Sequence, residues 1–238
     1  MKRTLFYLAV FFITSVCFPP AFAIESLDSF LGNIKTADTL ESPKVYSYTA
    51  NEKVIFYEDD EQMVVEGSVT SVKRYRFLGE DSVEVEIISE KKEGEIPDGD
   101  NSDNNERGDR NERFSVENLP FTKGSDGHYE YTDHGMVELD GRRFRKIEYR
   151  AKKRSKEYFD GTGWFDPENY LIYRVEFQYA KNPFGLKDFS GDMEFEYRDG
   201  YEFMKVFKMN ARGGLLLLFN FNISVSQVIE DIEIGEEL

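Results

Sequence analysis

The chain has 238 residues, with 46 acids against 30 bases for a net charge of −16. A surface this acidic excludes the counterion-releasing contacts of a nucleic-acid binder and electrostatic docking on anionic lipid headgroups. Any contact with lipid is therefore expected to be apolar, and 21 Phe and 14 Tyr beside one Trp supply large apolar area with few rotatable bonds.

The first 23 residues have three parts. Lys2 and Arg3 are followed by an uncharged, mostly apolar run from Leu5 to Val16, then Pro19, Pro20 and Ala21-Phe22-Ala23. That is the pattern of a cleavable secretory signal, and the run is shorter than the ~20 residues that span a bilayer. The alternatives are an uncleaved anchor, or a lipoprotein signal ending at Cys17, before which the bulky Val16 stands where such signals carry a small residue. The expectation is export to the periplasm, with residues 24–238 as one soluble domain. Cys17, the only cysteine, leaves with the signal, so no disulfide or thiolate metal site is expected in the remainder.

In residues 24–39, Leu27, Phe30, Leu31 and Ile34 form the stripe of an amphipathic helix, with Ser26 placed to cap it. After Pro43 the period becomes that of strands. They are expected at Val45–Tyr48, Val54–Tyr57, Met63–Leu78 and Ser82–Ser89, where Val83-Glu84-Val85-Glu86-Ile87 alternates most clearly. Residues 90–113 hold almost nothing apolar beyond Ile96 and read as a mobile acidic loop. Strands or turns resume at Phe114–Leu119, Gly127–Tyr131 and Met136–Leu139. The tight turn Asp140-Gly141 leads into Phe144–Ala151. Tyr158–Phe165 and Tyr170–Ala180 flank the turn Asp166-Pro167-Glu168-Asn169, and Lys181–Gly185 is a loop. Asp192–Tyr197 and Tyr201–Met209 flank Arg198-Asp199-Gly200, then Leu215–Asn222 and Ser224–Ile234 close the chain. Leu215–Phe219 is apolar on both faces, so neither face is expected to meet water freely. A long antiparallel meander with short turns implies a curved sheet or a barrel.

The hairpin Tyr158-Phe159-Asp160-Gly161-Thr162-Gly163-Trp164-Phe165-Asp166-Pro167-Glu168-Asn169-Tyr170-Leu171-Ile172-Tyr173-Arg174-Val175-Glu176 resembles the bacterial periplasmic lipoprotein-sorting and lipoprotein-carrier family (LolA-like proteins). A strand with Gly and Trp enters an Asp-containing turn, and the next strand carries an aliphatic residue and an Arg before an acid. The resemblance covers about the last two-fifths of the chain. It implies a mainly β (α+β) fold, an incomplete antiparallel β-barrel or strongly curved sheet wrapped around a small number of helices and enclosing an apolar cavity for lipid or lipoprotein acyl chains. The chain departs from the family pattern in the acidic stretch 90–113 and in offering no basic latch residue.

Candidate cavity-lining residues are Trp164, Phe165, Leu171, Tyr173, Phe177, Phe203, Leu216, Leu218 and Phe219. The strand face pointing inward is not fixed by sequence, and a one-residue slip exchanges the set. The basic stretch Arg142, Arg143, Arg145 and Lys146 is a candidate docking patch at the rim. His128 and His134 are spaced six apart, which does not aim both rings at one metal. The segment 98–103 lacks the Gly and Glu of an EF-hand. No nucleophile elbow or phosphate-cradling loop occurs. The sequence therefore reads as a monomeric, non-enzymatic carrier without cofactor. It would bind a lipid or acyl chain, contact a membrane transiently and use membrane-protein donors and acceptors. The alternative is an exported protein-binding scaffold or sensor with a filled core.

Overall fold

The structure is a computed structural model and describes residues 25–37, 45–58, 64–78, 83–96, 119–215 and 219–235. The signal-like segment and residues 97–113 lie outside the described residues. Among the described residues, no helix is long and apolar enough to cross a membrane.

One helix, α1 (Leu27–Ala37), precedes ten strands: β1 (Val45–Tyr57), β2 (Val65–Leu78), β3 (Val83–Gly94), β4 (Tyr129–Leu139), β5 (Arg142–Ala151), β6 (Phe159–Phe165), β7 (Ile172–Tyr179), β8 (Leu186–Arg198), β9 (Tyr201–Leu215) and β10 (Phe219–Ile234). They form one antiparallel sheet in the order β3-β2-β1-β10-β9-β8-β7-β6-β5-β4. The sheet does not close: β3 and β4 are its two edges. The expected mainly β, incomplete barrel is present, with one described α-helix, α1, packed against the β4–β6 end of its sheet and a short 3-10 turn at Ser125–Gly127.

The tight turns follow from their residues. Asp140 and Gly141 have φ of 53° and 73°, and Asp199 and Gly200 have 54° and 86°. Two successive positive φ values match the twist of a two-residue hairpin. Several boundaries differ from expectation: Gly127–Tyr131 and Met136–Leu139 merge in the one strand β4, which starts at Tyr129, and β8 starts at Leu186 instead of Asp192. Val45–Tyr48 and Val54–Tyr57 are one strand, because the polar stretch between them is paired on both sides and Ala50 is fully buried between Ile229 and Lys73. β3 runs on through Glu90–Gly94, five residues that composition assigns to a loop; Glu90 pairs with Lys92, and Lys91 with Glu93. β9 ends at Leu215 and β10 begins at Phe219, so Leu215–Asn222 is not one strand.

Helix α1 starts where Ser26 accepts from the Ser29 amide at 3.2 Å, and Lys35 in its last turn suits the helix dipole. Its stripe of Phe30, Leu31 and Ile34 is buried against Tyr129, Ile147, Tyr149 and Phe165 of the β4–β6 end of the sheet. Each such side chain contributes roughly 1.5–3 kcal/mol. Polar ties hold the helix at both ends. Arg145, 6% exposed, donates to Asp133 at 2.6 Å and to the Glu25 carbonyl at 2.9 Å, with its guanidinium 4.3 Å from the centre of the Phe30 ring. Lys35 pairs with Asp126.

The Arg145 hydrogen bonds hold the Asp133 carboxyl below the usual aspartate range. A depressed folded pKa means the contact stabilises above the unfolded value of about 4 and is lost as pH falls through the folded value. Urea denaturation of Arg145→Met at pH 7 is expected to show a loss of about 3 kcal/mol. The difference from the parent should shrink on acidification. A pH-independent difference would mean that Arg145 acts by packing alone.

Candidate functional site

Glycines under aromatic rings shape the inner face of the sheet, the face on which α1 lies. Tyr149 crosses Gly161 so that its hydroxyl donates to the Glu176 carbonyl at 3.0 Å, and a Cβ at Gly161 would meet that carbonyl oxygen and lie 2.5 Å from the Tyr149 hydroxyl. The Phe165 and Phe121 rings lie over Gly163, at 2.6 and 3.1 Å from a Cβ built there. The Phe177 ring lies over Gly191. A ring covers a glycine because no side chain stands in its way. Each ring then lies along the sheet, and the space above it stays open.

That space is a cavity of about 520 Å³. Phe159, Phe165, Val175, Phe177, Met193 and Phe207 form its sheet wall. Ile34 of α1 and the segment Leu119–Thr122 form the opposite wall. The volume falls in the range of small-molecule sites, about 300–1,000 Å³. Its polar groups are the hydroxyls of Tyr149, Tyr170, Tyr179, Tyr197 and Thr122 and the Glu202 carboxylate. The Tyr197 hydroxyl lies 2.9 Å from the Ile172 carbonyl and 2.8 Å from a Glu202 carboxylate oxygen. Burial drives the Tyr149 hydroxyl well above its ordinary pKa, so it stays a neutral donor at any physiological pH.

The strands split the candidate lining residues between two faces. Phe165, Leu171 and Phe177 are on the cavity wall. Trp164 and Tyr173 are on the outer face. Trp164, 8% exposed, is flanked by Lys146 and Arg174, each 5.5 Å from its ring centre. Tyr173 stacks on Phe144 at 4.4 Å, and its hydroxyl donates to Asp140 at 3.1 Å. A register shift at Trp164/Phe165 lets Tyr173 and Arg174 follow Ile172 without returning to the cavity. Phe203 packs with Ile229 and Ile232 in a second cluster beside Tyr46 and Tyr48. Leu216, Leu218 and the Phe219 side chain lie outside what is described.

The basic patch is likewise divided. Arg142 and Arg143 are exposed, and Lys146 is half-buried against Trp164. Arg145 lies inward under α1, away from the others. His128 meets the Tyr158 hydroxyl at 3.2 Å and His134 meets Glu148 at 3.0 Å, so each has a partner of its own.

Between the two apolar clusters the inner face carries one polar knot. The pairing Met193↔Phe207↔Gln227↔Glu52 carries the cavity face across four strands to Glu52. Lys73, Tyr75 and Gln227 all donate to that carboxylate, at 2.5, 2.6 and 2.9 Å. Burial pushes the Glu52 carboxyl up, but the three donors outweigh it and hold the group below its ordinary range. The knot keeps a half-buried charge satisfied.

No family model and no curated protein matches the chain. Solved structures similar to it include a LolA superfamily protein from Nitrosomonas europaea, at 11% identity over 90% of this chain and 96% of that chain, with a TM-score of 0.38. A putative outer membrane lipoprotein-sorting protein domain from Vibrio parahaemolyticus matches at 12% identity over 89% and 94%, with a TM-score of 0.38. The Mycobacterium tuberculosis lipoprotein LppX matches at 10% identity over 89% and 99%, with a TM-score of 0.35.

Proposed function

We propose that this chain is a periplasmic, non-enzymatic carrier. It takes up a lipid, or the acyl chains of a lipoprotein, and passes it between membranes by transient contact with a donor and an acceptor. The observation that carries this reading is the open apolar cavity of about 520 Å³ between α1 and the sheet. Each methylene moved into it contributes ~0.8 kcal/mol. Ten methylenes give about 8 kcal/mol, a micromolar dissociation constant before ordering costs. Binding of that order holds a chain in water and lets it leave for a membrane.

Mass spectrometry of the protein purified without detergent from its own exported compartment tests this. A stoichiometric lipid or lipopeptide is the expected result. A protein that carries nothing and takes up no fluorescent fatty acid would sink the carrier.

One observation favours the second reading, a protein-binding scaffold or sensor. Edge strand β3 is exposed along its whole length, and Val83, Val85 and Ile87 lie uncovered on the face shared with Tyr75 and Phe77. A partner that adds a strand to that edge would cover them.

A further inference from the structure

The sheet is incompletely sewn beside the cavity. The ladder between β7 and β8 runs from Arg174↔Glu194 to Phe177↔Gly191 and stops there. Beyond it, among the described residues, each strand is paired only on its other side, Tyr179 with Phe159 of β6 and Ser190 with Asn210 of β9. Among the described residues, side chains hold the strands together here, through the Tyr179 and Phe189 rings with centres 4.7 Å apart. Those same two rings line both the apolar cavity and a second hollow of about 540 Å³.

The second hollow is on the outer face, and its chemistry is different. Gln178, Ser190, Asn210 and Asn182 line it; the Asn182 side-chain amide already donates to the Lys187 carbonyl at 2.6 Å, and the Asn210 side-chain carbonyl oxygen accepts from the Ser224 hydroxyl. Its two guanidinium groups are already matched to carboxylates, Arg154 to Asp160 and Arg212 to Asp188, and Lys181 adds one cation at the lip. Gln178 and Ser190 are exposed and make no side-chain hydrogen bond to another described residue. The cleft therefore offers hydrogen bonds of both polarities with little net charge. That suits an uncharged, hydroxyl-rich group better than a phosphate or carboxylate.

We propose that the β7/β8 seam is the site where an amphiphile straddles the sheet, its chain in the cavity and a neutral, hydroxyl-bearing head group in the outer cleft. This rests on the carrier reading and adds to it the class of head group and its location. Side chains alone close the seam, so it can part around the link between head and chain without breaking a ladder. The backbone edges of β7 and β8 beyond Phe177 and Gly191 are then beside the link, as donors and acceptors.

Calorimetry of the full chain with two probes of equal chain length, dodecyl maltoside and dodecanoate below their micellar concentrations, tests the seam. The maltoside is expected to bind ~10-fold more tightly, the worth of one or two net hydrogen bonds. The exposed pair Gln178→Ala/Asn210→Ala should erase that advantage and leave dodecanoate binding unaltered. Equal binding of the two probes, or an advantage that survives in the double variant, overturns the seam proposal and leaves the carrier standing. Binding of neither probe overturns both.

Discussion

Gly161→Val is expected to destabilise the fold by roughly 2–6 kcal/mol, a large share of the about 5–15 kcal/mol typical of a domain. A Cβ at position 161 meets the Glu176 carbonyl and lies 2.5 Å from the Tyr149 hydroxyl. Neither neighbour is free to yield. The carbonyl belongs to the β6–β7 ladder, where Glu176 pairs with Thr162, and Tyr149 is 1% exposed at the centre of the core. Moving Tyr149 breaks its 3.0 Å hydrogen bond and leaves a buried hydroxyl unpaired, at about 1–3 kcal/mol. Crowding of the core adds about 1–3 kcal/mol. Thermal denaturation followed by near-ultraviolet circular dichroism reads this directly, because Tyr149, Tyr129 and Phe121 lie ring against ring. A melting temperature within a few degrees of the parent would show that β6 shifts to accept the side chain, and that the rings do not depend on glycine.

The second large effect is on ligand uptake. Val175→Asp places a carboxylate in the cavity wall at nearly unchanged volume. Val175 lies opposite Gly163 on one side and Met193 on the other, in the apolar centre of the wall. An empty cavity hydrates the charge. An acyl chain displaces that water, and the unpaired polar group then costs about 3 kcal/mol, which is ~100-fold in affinity. Titration with a fluorescent fatty acid should show that loss. Thr70→Asp, an exposed position between Lys53 and Lys91, is expected to bind the probe as the parent does. Equal binding by Val175→Asp would place the ligand elsewhere, and the exposed apolar row on β3 would become the first candidate.

Much of the fold is legible in local chemistry. The stripe Leu27-Phe30-Leu31-Ile34 specifies α1, and Asp140-Gly141 and Asp199-Gly200 specify their hairpins. Strand length is less legible, because pairing with distant strands carries polar residues along. Thr49–Lys53 is regular only because β10 and β2 flank it, and Glu90–Gly94 only because β2 continues beside it. The cavity was the hardest to read. Trp164 and Phe165 are adjacent and face opposite ways, and the shift at that point breaks the simple alternation that would tell which is inside. Phe121, Tyr149, Met193 and Phe207 on the wall are absent from the candidate residues, since none is marked by composition. A usable signal was present in the glycines. Gly161, Gly163 and Gly191 each lie under a ring, and an isolated strand glycine marks the face that a neighbouring aromatic will cover.

The position of β10 between β1 and β9 governs when the molecule can form. Asn51 and Glu230 are hydrogen-bonded at 2.9 Å although 179 residues separate them. Until residues 219–234 arrive, β1–β3 and β4–β9 are two sheets with no ladder between them, each with an open edge where β10 belongs. Loop closure over that distance precedes any reward from the contacts it makes, so folding should be slow and its decisive step late. Because β10 is the one strand that joins the two halves among the described residues, neither half is locked against the other until residues 219–234 are in place.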